Sequence, residues 1–202
     1  MTTEIKTGRI NQKLRTRTAI VAAARQLIGT GGDVTMPAVA RAALVSEATA
    51  YRYFPDLVSL LVEAMTDLLP DPVTAFRSAA QPGDPVERVA FATELLLRQV
   101  LTYRGAVRAM ISATITRPEL VDTRPGIRFG LIEHALEPLR DNVTADTLAQ
   151  LTRDLAVVMS AEALFNLIDL CGCAPDDALA SVVRTASTLT RAALATGGKP
   201  LH

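Results

Sequence analysis

Between Thr35 and Phe54 the chain reads TMPAVARAALVSEATAYRYF, a run dense in side chains that hydrogen-bond: Thr35, Ser46, Glu47, Thr49, Tyr51, Arg52 and Tyr53. What such a run can do depends on the backbone that holds it. Thr35 is a good N-cap, because its hydroxyl can accept a bond from an orphan N–H one turn on. Pro37 falls in the first turn, where a missing N–H costs nothing. Val39, Ala40 and Ala43 give one apolar face. Ser46 is a second N-cap and opens a helix from Glu47 to Tyr53. Two helices of about eight residues joined by a turn of about three have helix-turn-helix geometry. In that geometry the second helix enters a DNA major groove, with its N-terminal residues nearest the base edges.

Other chemistries are poorly supplied. The sequence holds no G-x-S-x-G, H-E-x-x-H or Walker A loop, and its histidines are His134 and the terminal His202. No catalytic residue is assigned and the chain is not expected to be an enzyme. Cys171-Gly172-Cys173 is C-x-C rather than C-x-x-C, without a second pair to complete four ligands. His134 with Glu133 and Glu137 reads as a solvated face. Neither a metal nor a cofactor is expected. Gly29-x-Gly31 is no dinucleotide fingerprint, since a helix precedes it and Val34 stands where the third Gly belongs.

The elements around the run are helical. Leu14, Ile20, Val21, Ala24, Leu27 and Ile28 form one stripe, which predicts a helix from Lys13 to Gly29 that buttresses the next two. Arg15 and Arg17 lie near its start, within reach of phosphate. Residues 1–12 show no periodicity and read as a mobile arm carrying Lys6 and Arg9. Asp56 should cap a helix running to about Leu69.

The signature Thr35, Val39-Ala40, Ala43, Val45-Ser46, Thr49 and Tyr51-Arg52-Tyr53-Phe54 resembles the DNA-binding domain of the tetracycline-repressor (TetR) family of bacterial regulators. The resemblance implies that Thr35, Thr49, Tyr51 and Tyr53 bind phosphates, while Ser46, Glu47, Ala48 and Arg52 face bases. Arg52 would pair bidentately with guanine, Glu47 accept from cytosine N4, and the Ala48 methyl touch a thymine methyl. It also implies a homodimer and a small-molecule effector, whose signal passes through the helix after Pro55. The sequence departs from the family pattern at Leu44, usually Gly, at Glu47, often Lys or Gln, and at Leu57, where a phosphate-binding Lys is common.

Charge agrees with a modular DNA binder. Residues 1–55 carry eight Lys/Arg and three acids, a net of +5, and the remainder of this neutral chain carries −5. Phosphate neutralisation needs local rather than global positive charge. Hydrophobic residues make up 49%, with few aromatics, so the core is built from Leu, Val, Ile and Ala, a helical palette. The N-terminus is polar without an apolar leader, and a cytoplasmic protein with free thiols is expected.

Beyond residue 70, a short helix over Val73 to Ala80 is followed by one from Pro85 to Tyr103 that is apolar on most sides and so central to its domain. Helices from Gly105 to Ile115 and from Pro125 to about Arg140 come next, with Pro138 expected to kink or end the latter. Two long helices, Thr144 to about Leu170 and Pro175 to Ala195, close the chain. The first carries two apolar stripes, which suits pairing with a second subunit as a four-helix bundle. Effector-pocket candidates are Phe91, Met110, Phe129, Met159 and Phe165, with Glu162 and Asn166 as polar groups on one side of an apolar helix. Ion pairs from Glu162 to Arg184 or Arg191 are the competing account, and apolar candidates also suit plain core.

The expectation is therefore an all-α chain of about nine helices. A three-helix helix-turn-helix domain with its arm would occupy residues 1–55, and a helical effector-binding and dimerisation domain residues 56–202. The function expected is a ligand-responsive DNA-binding regulator, a repressor released from its operator. The alternative is a helical dimeric interaction module with weakened or lost DNA binding.

Overall fold

A computed structural model of the chain describes residues 2–66, 72–79, 83–123 and 126–195. Their regular structure is all helical: α1 (Thr2–Gly29), α2 (Met36–Ala42), α3 (Glu47–Tyr53), α4 (Leu57–Thr66), α5 (Pro72–Ser78), α6 (Pro85–Thr102), α7 (Arg104–Thr116), α8 (Ile127–Ala135), α9 (Ala145–Val158), α10 (Ala161–Asp169) and α11 (Pro175–Ala195). Short 3-10 turns cover Pro118–Thr123 and Glu137–Leu139. Among the described residues no helix is long and apolar enough to cross a membrane.

The chain forms two compact units, residues 1–69 with 103–125, and residues 70–102 with 126–202. The packing thus divides the chain at a different place from the boundary expected at Pro55. In the first unit Ile20, Ala24 and Ile28 of α1 share a core with Val39 and Ala40 of α2, Val58 and Leu61 of α4, and Ala106 and Met110 of α7. α4 and α7 belong to this unit because their apolar faces complete that core. Asp56 caps α4 as expected, accepting from the Ser59 N–H at 2.7 Å and its hydroxyl at 2.9 Å.

α1 differs from its expected form. It starts at Thr2, so the segment expected to be an arm is helical, although the side chains of residues 1–9 lie outside the described residues. At 28 residues α1 spans about 42 Å. Among its described side chains burial begins only at Ile20, and Leu14, expected in the core, is 62% exposed.

In the second unit α6 is central, packing against α5, α8, α10 and α11. Phe76, Val89, Leu96, Leu131, Leu155, Met159 and Ala186 make its core. α8 ends at Ala135, shorter than the helix expected to run to about Arg140. Pro138 has no N–H to give the His134 carbonyl, so the α-helix stops and a 3-10 turn follows. The expected helix start at Pro125, and breaks at 70–71 and 80–82, lie outside the described residues.

The helix expected over residues 144–170 is two helices. Ser160 takes extended backbone angles (φ −133°, ψ 152°) and caps α10, its Oγ accepting from the Ala163 N–H at 3.1 Å and donating to the Val157 carbonyl at 2.8 Å. Cys171 and Cys173 are free thiols.

Candidate nucleic-acid interface

Thr35 and Ser46 define the two helices of the motif. The Thr35 hydroxyl accepts from the Ala38 N–H at 3.3 Å, and the Ser46 hydroxyl from the Thr49 N–H at 3.2 Å. Each such cap contributes about 1 kcal/mol. Between the helices the chain turns at Leu44, in the left-handed region at φ 56°. The Val45 N–H donates to the Ala40 carbonyl at 3.0 Å and the Leu44 N–H to the Arg41 carbonyl at 3.1 Å. These crossed bonds are a Schellman cap, whose left-handed position is normally glycine. Leu44 gains no packing in return, being 93% exposed. A branched side chain there costs about 1–2 kcal/mol, partly offset by the larger unfolded-state entropy of glycine. We expect Leu44→Gly to stabilise the chain by about 0.5–1 kcal/mol, read as a higher urea midpoint. An unchanged or lower midpoint would mean the turn is unstrained.

α3 buries only Ala50, so nearly the whole helix is presented outward. Ser46, Glu47, Ala48, Tyr51 and Arg52 are exposed, and Thr49 and Tyr53 half-buried. Thr35 is exposed at the start of α2. The Arg52 guanidinium lies 5.7 Å from the Tyr53 ring centre. Phe54 is buried at 2% exposure and anchors the end of α3 in the core. Leu57 is half-buried against the same core, as befits a leucine where a phosphate-binding lysine is common.

Arg17 occupies a different place from the one expected of a phosphate ligand. It pairs with Glu63 of α4, lies 4.4 Å above the Phe54 ring, and its Nη1 is 3.5 Å from the Tyr53 carbonyl. It therefore ties α1 to the end of α3 and to α4. Both partners of the ion pair are about 40% exposed, so the pair contributes less than about 1 kcal/mol. Arg17→Ala should lower stability by about 1 kcal/mol, seen in thermal melts, and leave the salt dependence of DNA binding unchanged. A slope reduced by about one would show that Arg17 holds a phosphate.

Arg25 is likewise occupied, donating to the Ala64 carbonyl at 3.1 Å. Lys13, Arg15 and Arg41 are exposed. Arg41, in the last turn of α2 beside the inter-helix turn, was not singled out from the sequence. Its only signal there is its position two residues before the turn.

The effector-pocket candidates fall in different places. Met110 sits in the first unit's core. In the second unit Met159 is fully buried and Phe165 is 6% exposed, but Phe129 is 51% exposed. Phe91 is half-buried and stacks on Phe76 at 5.6 Å, and Asn166 is exposed. Glu162 approaches Arg128 at 3.7 Å, a different partner from Arg184 and Arg191. No group of three or more His, Cys, Asp or Glu suited to a metal occurs among the described residues.

Two short capped helices, the second almost wholly outward-facing, on a segment of net positive charge, define a helix-turn-helix DNA-binding unit. Residues 20–64 match the family model for bacterial regulatory proteins of the tetR family. The match spans the helix-turn-helix and most of α4, and it supports a DNA-binding transcriptional regulator. Its fold is similar to the crystal structure of a TetR transcriptional regulator from Rhodococcus sp. RHA1, with a TM-score of 0.55 and 21% identity over 88% of this chain and 97% of that one. No curated protein matches the sequence.

Proposed function

We propose that the chain is a dimeric repressor that leaves its operator when a small molecule binds the second unit. The observation that carries the DNA-reading part is the exposure of Ser46, Glu47, Ala48 and Arg52 along one outward-facing helix. In this reading those four face bases. Thr35, Thr49, Tyr51 and Tyr53 hold phosphates, joined by Arg41, and Arg17 supports the helix from behind. Their hydroxyl, phenol and guanidinium donors suit phosphate oxygens, which position a reader without carrying sequence information.

Dimerisation through α10 and α11 rests on what those helices leave uncovered. Leu170 is 81% exposed at the end of α10, and Leu167 and Ile168 are only half-buried. Along α11, Leu179, Val182 and Ala186 are buried within the chain, while Ala180 and Ala195 keep the outer side small enough for close approach of another helix. A two-fold pair would set two α3 helices in successive major grooves, about 34 Å apart. The effector would bind in the second unit near Phe91, Met159 and Phe165, with Glu162 and Asn166 as polar contacts and Phe129 at the rim. It would act by favouring a state whose α3 spacing no longer matches the grooves.

Selection of bound fragments from random duplex DNA, followed by sequencing, tests this. The expected outcome is an enriched site with two-fold symmetry. Enrichment of a single asymmetric half-site would remove the dimer, and no enrichment would remove operator recognition.

A further inference from the structure

The second unit contains a cleft of about 230 Å³ lined by Arg77, Arg88, His134 and Glu137. Arg88 is the unusual member, an arginine only 8% exposed. Its Nη2 donates to the His134 carbonyl at 2.6 Å and its Nε to the Ala135 carbonyl at 3.2 Å. Its guanidinium carbon lies 5.5 Å from the Phe76 ring centre. These are the carbonyls that Pro138 and the 3-10 turn leave without helical donors, so Arg88 caps the C-terminus of α8.

That cap leaves charge over. A helix C-terminus carries about half a negative elementary charge, and Arg88 brings a whole positive one. Buried charges are ordinarily paired, yet no carboxylate among the described residues pairs with Arg88. Its Nη1 donates to no described residue. Nor is Nη1 sealed in, since Arg128 Nε is the one enclosed side-chain nitrogen without a partner among the described residues. Nη1 therefore keeps some exposure, and Arg88 is one of the residues that line the cleft. Arg77 and His134 add further donors there, and no hydrogen bond or ion pair occupies their side chains among the described residues. Glu133 is held by Arg140 at 2.8 Å and so does not neutralise the cleft.

We propose that this cleft is a binding site for a small carboxylate. Two guanidiniums against the Glu137 carboxylate and the half charge of the α8 terminus leave the cleft about half a charge positive, which suits a monoanion better than a dianion. Arg88 Nη1 and the Arg77 fork hold the carboxylate by charge-assisted bonds. Glu137 accepts from a hydroxyl or amine elsewhere on the ligand. At about 30 Å³ per water the cleft of about 230 Å³ has room for about eight waters, or for a compound of one ring. Through Phe76 the cleft adjoins Phe91, one of the effector candidates; its binding is read without DNA, so its failure leaves the operator reading untouched.

Isothermal titration of the full chain with 4-hydroxybenzoate, 4-hydroxybenzamide and inorganic phosphate tests the proposal. The acid should bind once per chain and the neutral amide at least about tenfold more weakly. Arg77→Ala, at an exposed position that leaves the α8 cap intact, should weaken the acid about tenfold, as expected for one charge-assisted bond. Arg88→Met should abolish binding in protein that circular dichroism shows to be folded. No saturable heat with the acid, equal affinity for acid and amide, tighter binding of phosphate than of the acid, or an unchanged constant in Arg77→Ala would each overturn it.

Discussion

Replacing Gly105 with alanine is expected to destabilise the first unit by about 3 kcal/mol, the upper end of overpacking costs. Gly105 is the second residue of α7, and a Cβ there would stand 1.8 Å from the carbonyl oxygen of Gly32 and 2.7 Å from its carbon. Both atoms are backbone, in the segment that closes α1 and leads to the Thr35 cap. They cannot swing aside as the tip of a side chain would. The sign of the effect is informative, because in a helix free of such a contact glycine to alanine stabilises by about 0.5–1 kcal/mol. Urea denaturation of the variant distinguishes the two. A higher midpoint would mean that the loop yields and that α7 does not brace the helix-turn-helix. If the prediction holds, α7 has a direct lever on α2, and it follows α6 of the second unit in the chain with only Tyr103 between them.

Arg52→Ala should cost about 1–3 kcal/mol of DNA affinity, roughly 5- to 150-fold, concentrated at one base pair. The side chain is exposed in the last turn of α3 and rests over Tyr53 rather than in an ion pair. Its removal should leave folding intact, as the core contact at the end of α3 belongs to Phe54. Binding to a set of operators mutated one base pair at a time gives the pattern. Discrimination should collapse at a single position while the others keep their ranking. A uniform loss at every position, with the salt slope lower by about one, would make Arg52 a phosphate contact.

The helix-turn-helix was legible because its signals are local. Thr35, Pro37 and Ser46 mark helix starts by their own chemistry, and the apolar spacing of Val39, Ala40 and Ala43 gives the buried face. Even the misfit was legible, since Leu44 occupies the positive-φ position that the turn demands. What escaped depends on partners distant in sequence. Arg17 looked like a free cation until Glu63 and Phe54 were brought to it. Gly105 and Arg88 carry no local signal, because their roles come from a loop more than seventy residues earlier and a helix end more than forty later. The break at Ser160 was hidden by continuous apolar spacing, in which one serine reads as an ordinary polar position. The placement of α4 and α7 in the first unit is a packing outcome that no boundary of composition announces.

If outward-facing α3 reads duplex DNA from a positively charged unit, binding must depend on both salt and sequence. The most direct test is fluorescence anisotropy of a labelled duplex recovered by selection, titrated with the full chain from 50 to 200 mM salt. Affinity should fall steeply and linearly in log–log form, by about 10³ or more if six or so phosphates are engaged. Equal binding to a scrambled duplex at every salt concentration would contradict sequence reading, and a salt-independent constant would leave the chain a helical interaction module.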